Sequence, residues 1–148
     1  WKPIEKIDDD FIFLHGDTLM DIAVIEGIIS SSSDVCLALD FKACGEEEMK
    51  FWLDQDKICR ITKADIGREA QGEFVGIAKF NQNMISYFSE ASKGIFKSGL
   101  LNSYMEEVLD QGLISQNIEV DYFDASSYNT IEVDFLEDLE LARQMFQP

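Results

Sequence analysis

The chain has 148 residues, enough for one domain that buries roughly two thirds of its unfolded surface. Its formal net charge of -17 excludes nonspecific binding to nucleic acid or to an anionic membrane, because both partners need a basic surface. Hydrophobic residues make up 46% of the chain, yet no uninterrupted apolar run approaches the roughly 20 residues needed to span a bilayer.

The first apolar run, Phe11 to Leu14, reads as a short strand buried on both faces, and it stops at Gly16-Asp17. Leu19, Ile22, Ala23, Ile25, Ile28 and Ile29 then recur at near-helical spacing until the Ser30 to Ser33 cluster. Val35 to Leu39 is a second buried strand, so the opening third has the strand, helix, strand order of a βαβ unit. Lys50 to Leu53 and Ile58 to Thr62 form a hairpin around the polar turn Asp54 to Lys57. Phe74 to Phe80 is the next strand. Helical stretches follow near Gln82 to Ala91 and from Leu100 to Gln111, the second grouping Leu101, Tyr104, Met105, Val108 and Leu109 on one face. Ile118 to Phe123 and Thr130 to Val133 are the last strands, and Phe135 to Phe146 is the closing helix. The expected class is α/β, a mixed and mostly parallel sheet with flanking helices in one domain over residues 1–148. No secretory signal is visible in Trp1 to Asp10, which points to the cytoplasm. Cys36, Cys44 and Cys59 form no CxxC pair and read as reduced, mostly buried thiols.

In open α/β sheets ligands bind beyond the carboxyl ends of strands, so carboxylates placed there are candidates for chemistry. Asp17 follows the first strand after Gly16, whose missing side chain lets a ligand approach the backbone, and Asp134 follows Thr130 to Val133. Two such groups suit Mg2+, which takes one or two protein carboxylates plus phosphate oxygens, and the chemistry would be phosphoryl or nucleotidyl transfer. An aspartate at a helix start also serves as an N-cap, and that alternative stands beside the metal role. Lys63, after an apolar strand, could meet a phosphate or simply be solvated. Glu73, preceded by Gly72, could hold a cationic or hydroxylated ligand or be a turn residue. His15 reads as a satisfied strand-end histidine, and Glu46-Glu47-Glu48 as a solvated charge run. Trp52, Tyr122 and Tyr128 could cage a quaternary ammonium group or belong to the core.

Taken in order, several segments resemble the Rossmann-like nucleotidyltransferases, closest to the phosphocholine and aminoethylphosphonate cytidylyltransferases. They are Leu14-His15-Gly16-Asp17-Thr18-Leu19-Met20-Asp21, Glu47-Glu48-Met49-Lys50, Ile61-Thr62-Lys63, Gly72-Glu73-Phe74-Val75-Gly76-Ile77-Ala78-Lys79-Phe80, and Ile131-Glu132-Val133-Asp134 followed by Glu137 to Ala142. The resemblance implies Mg2+ on Asp17 and Asp134, with Glu132 supporting the metal or acceptor. It further implies Lys63 near substrate phosphate, with Gly72-Glu73 at the acceptor head group. The implied reaction moves a nucleoside monophosphate from a triphosphate, CTP favoured, to a small phosphorylated or phosphonylated acceptor, releasing pyrophosphate. The family begins with a strand and a Gly-rich loop that holds the triphosphate, and nothing in Trp1 to Asp10 is similar to it. The expectation is therefore the metal-and-acceptor half of such an enzyme, a fragment or a chain completed by another molecule or by a homo-oligomer. By itself that half would have little or no activity. Thr130 also stands where the family often has a tryptophan. Two other readings are a non-catalytic nucleotidyltransferase-like binding or regulatory module and a nucleotide-sugar glycosyltransferase-like domain, which the Gly72-Glu73 segment fits less well.

Overall fold

The computed structural model describes residues 6–97, 99 and 104–146. Its elements are β1 (Phe11–Leu14), β2 (Thr18–Met20), α1 (Ile22–Ser30), β3 (Val35–Asp40), β4 (Lys50–Asp54), β5 (Lys57–Thr62), β6 (Gly72–Phe80), α2 (Met84–Lys97), α3 (Met105–Ile114), β7 (Asp121–Asp124), β8 (Thr130–Glu132) and α4 (Leu136–Met145). The α/β class and the element order agree with the sequence reading. Leu100 and Leu101 of the expected second helical stretch lie outside the described residues. The helical spacing read from Leu19 is realised only from Ile22, since Thr18–Met20 is a short strand paired with β8.

The main sheet has the order β5-β4-β6-β3-β7, and β1 lies against β6 on the side that also carries β4. It is mixed but mostly antiparallel: β3 with β7 is the one parallel pair among the described residues, which corrects the expected mostly parallel sheet. β1 and β3 do run in the same direction, as a βαβ unit requires, but β6 separates them and opposes both. An apolar run reports burial on two faces and carries no information on the direction of the strand beside it. β3 has that double burial, with Val35 through Leu39 all buried. In β1 only Phe11 and Phe13 turn inward, while Ile12 is 41% and Leu14 50% exposed.

The two faces of the sheet bury separate cores. On one, Val35, Leu37, Leu39, Phe51, Ile61 and Phe80 pack with Phe88 of α2 and Val108, Leu109 and Leu113 of α3. On the other, Cys36, Ala38, Val75 and Ile77 pack with Val24 and Ile28 of α1. The result is a three-layer arrangement. The hairpin between β4 and β5 turns on Gln55 and Asp56, both at positive φ, a backbone that Asn, Asp and Gly tolerate best. All three cysteines are free, Cys36 buried and Cys44 and Cys59 half-buried. Among the described residues no helix is long and apolar enough to cross a membrane.

Helix α3 carries two carboxylates on its buried face, Glu106 and Asp110, one turn apart. Asp110 fixes the helix to β5: its Oδ1 accepts Arg60 Nε at 2.8 Å and the Ile61 N–H at 2.9 Å, and its Oδ2 accepts Arg60 Nη2 at 3.0 Å. Removing that carboxylate strands a buried backbone donor and a half-buried guanidinium. Asp110→Ala is expected to lower unfolding stability by about 2–3 kcal/mol in urea titration, and Asp110→Asn by less, because an amide oxygen still reaches the Ile61 N–H.

Candidate functional site

The candidate residues gather where the chain leaves the main sheet. His15 still belongs to it, its N–H donating to the Gly76 carbonyl at 2.8 Å. Gly16 turns the chain outward, and β2 then pairs with β8 in a separate ribbon, with Thr18 opposite Glu132 and Leu19 opposite Ile131. The ribbon is closed at both ends. Val133 N–H donates to the Asp17 carbonyl at 2.9 Å, and Asp21 and Asn129 exchange two hydrogen bonds of 2.9 Å. The two strands therefore bring Asp17 beside Glu132, and ligand atoms of His15, Asp17 and Glu132 all lie within 4.8 Å of one another.

Asp134 follows β8 and is exposed. Asp138, not Asp134, caps α4, its Oδ2 accepting the N–H groups of Asp134 at 3.2 Å and Phe135 at 2.8 Å. Burial raises the Glu132 carboxyl above its ordinary range, and the charges of Asp134 and Asp17 push it further. Four acidic or basic groups of the ribbon thus feel one another.

The orientation of His15 is over-determined. Its Nε2 is 2.9 Å from Oε1 of Glu106, a carboxylate only 2% exposed, and its Nδ1 is 3.6 Å from Oε1 of Glu132. Its ring meets Phe13 and Phe74 edge-on, at centroid distances of 5.4 and 5.8 Å. The hydrogen bond to Glu106 raises the imidazole above its ordinary value, against burial, which lowers it. Gly76 makes this placement possible. It sits in a bulge of β6 at φ +80°, and a Cβ there would come within 2.8 Å of His15 Nδ1 and 2.9 Å of Thr18 Oγ1.

The remaining candidates lie around this cluster rather than in it. Glu73 pairs with Asp40 across β6 and β3 and binds Lys42 Nζ at 2.6 Å, and its charge also reaches Glu132. Gly72 is buried, and a Cβ there would lie 1.9 Å from the Asp40 carbonyl, so close strand packing accounts for the glycine. Lys63 is exposed; its carbonyl accepts from Lys50 and its Nζ lies 5.7 Å from the ring centre of Tyr104, next to the start of α3. Trp52 is buried in β4, Tyr122 packs on Phe41, and the exposed Tyr128 packs on Phe123, so the three aromatics have separate packing partners. Sequence reasoning missed Glu106 and Lys42. A signal for Glu106 existed, since Glu106 and Asp110 recur at one helical turn beside the apolar stripe of Met105, Val108 and Leu109.

A scan against protein-family models finds no match, and a search of curated proteins by sequence finds none either. Solved structures do match in fold. A candidate glucose-1-phosphate thymidylyltransferase from Bacillus anthracis superposes with a TM-score of 0.70 at 14% identity, over 93% of this chain and 54% of that one. The inositol-1-phosphate CTP transferase from T. maritima gives 0.70 at 16%, over 94% and 56%. CTP:phosphocholine cytidylyltransferase from Streptococcus pneumoniae gives 0.64 at 11%, over 90% and 56%. The chain has the fold seen in these nucleotidyltransferases and spans little more than half the length of each.

Two outcomes follow from the geometry of His15. Because its folded-state pKa is raised, its stabilisation is fully present below the unfolded value of about 6.5 and is lost as pH rises through the folded value. In metal-free buffer the urea midpoint should fall as pH rises above the unfolded value, and His15→Gln should flatten that fall. Glu132 shifts stability with the same sign, so the difference between the wild type and His15→Gln, rather than the bare slope, reports His15. Separately, Gly76→Ala should cost at least about 1–2 kcal/mol of stability from its left-handed backbone alone, measured in the same titration.

Proposed function

We propose that the chain is the metal-and-acceptor half of a nucleotidyltransferase, moving a nucleoside monophosphate from a nucleoside triphosphate to a small phosphorylated or phosphonylated acceptor. Pyrophosphate is the other product, and CTP is the favoured donor on the motif resemblance. The observation that carries this reading is the β2–β8 ribbon. It sets Asp17 beside Glu132, with Asp134 directly following, in a fold whose solved neighbours are nucleotidyltransferases.

The residues divide the work by position. Asp17 and Asp134 are exposed carboxylates, fit to hold a divalent cation, Mg2+ by resemblance, at the mouth of the ribbon. When bound, that cation would neutralise charge on the phosphate oxygens of donor and acceptor. Glu132, raised by burial and by its acidic neighbours, holds a proton more readily than an ordinary glutamate and can hydrogen-bond an acceptor oxygen. Glu73 and Lys42 form an ion pair at the end of β6 that can open to receive an acceptor carrying both signs of charge. Lys63 is exposed, and by resemblance its flexible ammonium would follow a substrate phosphate. Positioning and charge neutralisation are what such a transfer asks of a protein.

A second reading, a nucleotidyltransferase-like module that works only in an assembly, is supported by the apolar residues of β1 left in solvent, Ile12 and Leu14. Calorimetric titration of the purified chain with CTP in the presence and absence of Mg2+ separates the two. The transferase reading expects a CTP heat that requires Mg2+ and weakens at least tenfold in Asp17→Asn and in Asp134→Asn. CTP binding that ignores both substitutions would sink it, and no binding at any concentration would leave the assembly module.

A further inference from the structure

The close donor set that the fold brings together is not made of oxygens alone. Asp17 is joined instead by the imidazole of His15 and the carboxylate of Glu132, and Asp134 is not part of that close set. Mg2+ is a hard ion that selects oxygen ligands, whereas imidazole with carboxylates is a donor set for first-row transition ions. We propose that His15 Nδ1, Asp17 and Glu132 form a mixed nitrogen and oxygen site that takes a divalent transition ion, such as Co2+, Zn2+ or Mn2+, in preference to Mg2+. This rests on the reading of the ribbon mouth as a cation site and not on nucleotidyl transfer itself.

Three further observations support it. First, the distances suit one ion: ligands about 2.1 Å from a metal stand about 3.0–3.4 Å from one another, and His15 Nδ1 is already 3.6 Å from Glu132 Oε1. Second, the far side of the imidazole is bonded as in metal-bound histidines, which usually donate their other N–H to a carboxylate. Glu106, buried on α3, accepts from Nε2 at 2.9 Å, so the proton resides on Nε2 and the Nδ1 lone pair faces the carboxylates. A histidine that only satisfied the core would not need a buried carboxylate behind it and two acidic groups in front. Third, Thr18 Oγ1 is buried with no hydrogen-bond partner among the described residues. The bulge at Gly76 puts it next to His15 Nδ1, since both atoms lie within 2.9 Å of the position a Cβ would take. A water on the ion would satisfy that hydroxyl, and any side chain at position 76 would occupy the space.

Glu106 is in this account a positioning residue. Glu106→Gln keeps an acceptor for Nε2–H but removes the negative charge, and such outer partners commonly alter metal affinity tenfold or more.

His15 is the only histidine of the chain, which makes the test direct in a tag-free protein. Metal-free protein would be titrated with Co2+, read by visible absorption, and with Zn2+, Mn2+ and Mg2+ by calorimetry. One ion per chain is expected, with Co2+ and Zn2+ at least tenfold tighter than Mg2+. His15→Ala should weaken Co2+ at least tenfold and leave Mg2+ within twofold, and Glu106→Gln should weaken Co2+ by a smaller factor. Should His15→Ala fail to fold, nitrogen-15 spectra of the wild-type imidazole decide the matter: saturating Zn2+ should move the Nδ1 resonance while Nε2 keeps its proton. An Nδ1 signal unmoved by Zn2+, or equal affinities for Co2+ and Mg2+, would overturn the proposal and leave the CTP titration to judge the transferase reading. Loss of CTP binding with Co2+ selectivity intact would do the reverse.

Discussion

The hydrogen bond between the buried carboxylate of Glu106 and the imidazole of His15 is the constraint on which the ribbon mouth depends. Charge on a carboxylate with 2% exposure needs a partner, and in a chain of net charge -17 cations are scarce. Helix α3 buries two acids and the sheet supplies one partner to each, Arg60 from β5 for Asp110 and His15 from the end of β1 for Glu106. One helix thereby ties the β5 edge of the sheet to the end of β1, on the same side of β6. It also sets the angle of the side chain that faces Asp17 and Glu132.

The consequence is an electrostatic asymmetry. The two buried acids have partners within the protein, whereas Asp17, Glu132 and Asp134 gather at the strand end with only the imidazole between them. Glu132 responds by holding its proton more tightly, which is how a partly desolvated carboxylate beside like charges lowers the cost of its position. A divalent cation would lower that cost more completely. Gly76 belongs to the same arrangement: its bulge shortens the approach of His15 and Thr18 to β6, and no residue with a side chain fits there without displacing them.

Much of the fold was legible from hydrophobic period and turn residues. The hairpin around Gln55 and Asp56, the strand ending at Phe80 and the closing helix lie where the sequence places them. The misreadings have one origin, that periodicity describes burial and not pairing. Leu19 continues the spacing of α1 while belonging to a strand, because its neighbour Ile131 lies far along the chain. The same holds for the sheet, where the apolar runs of β1 and β3 are real but β6 runs between them in the opposite direction. At the site, Asp17 and Asp134 were legible as strand-end acids and through motif resemblance, and Glu132 through the resemblance alone. For Glu106 the one-turn spacing to Asp110 was only a hint, since two such carboxylates read as a solvated face until the helix is packed.

The sequence by itself determined the layers, the position of the acidic groups after strands and the exclusion of polyanionic partners, because these follow from composition, period and net charge. Only the tertiary structure decided which acids are buried and which share a ligand. That choice depends on contacts between residues far apart in the chain: Glu106 with His15, Thr18 opposite Glu132, and the bulge at Gly76 against both His15 and Thr18. No local pattern encodes such distances. They arise when the strands pair, and with them arises the cluster of a histidine and two carboxylates.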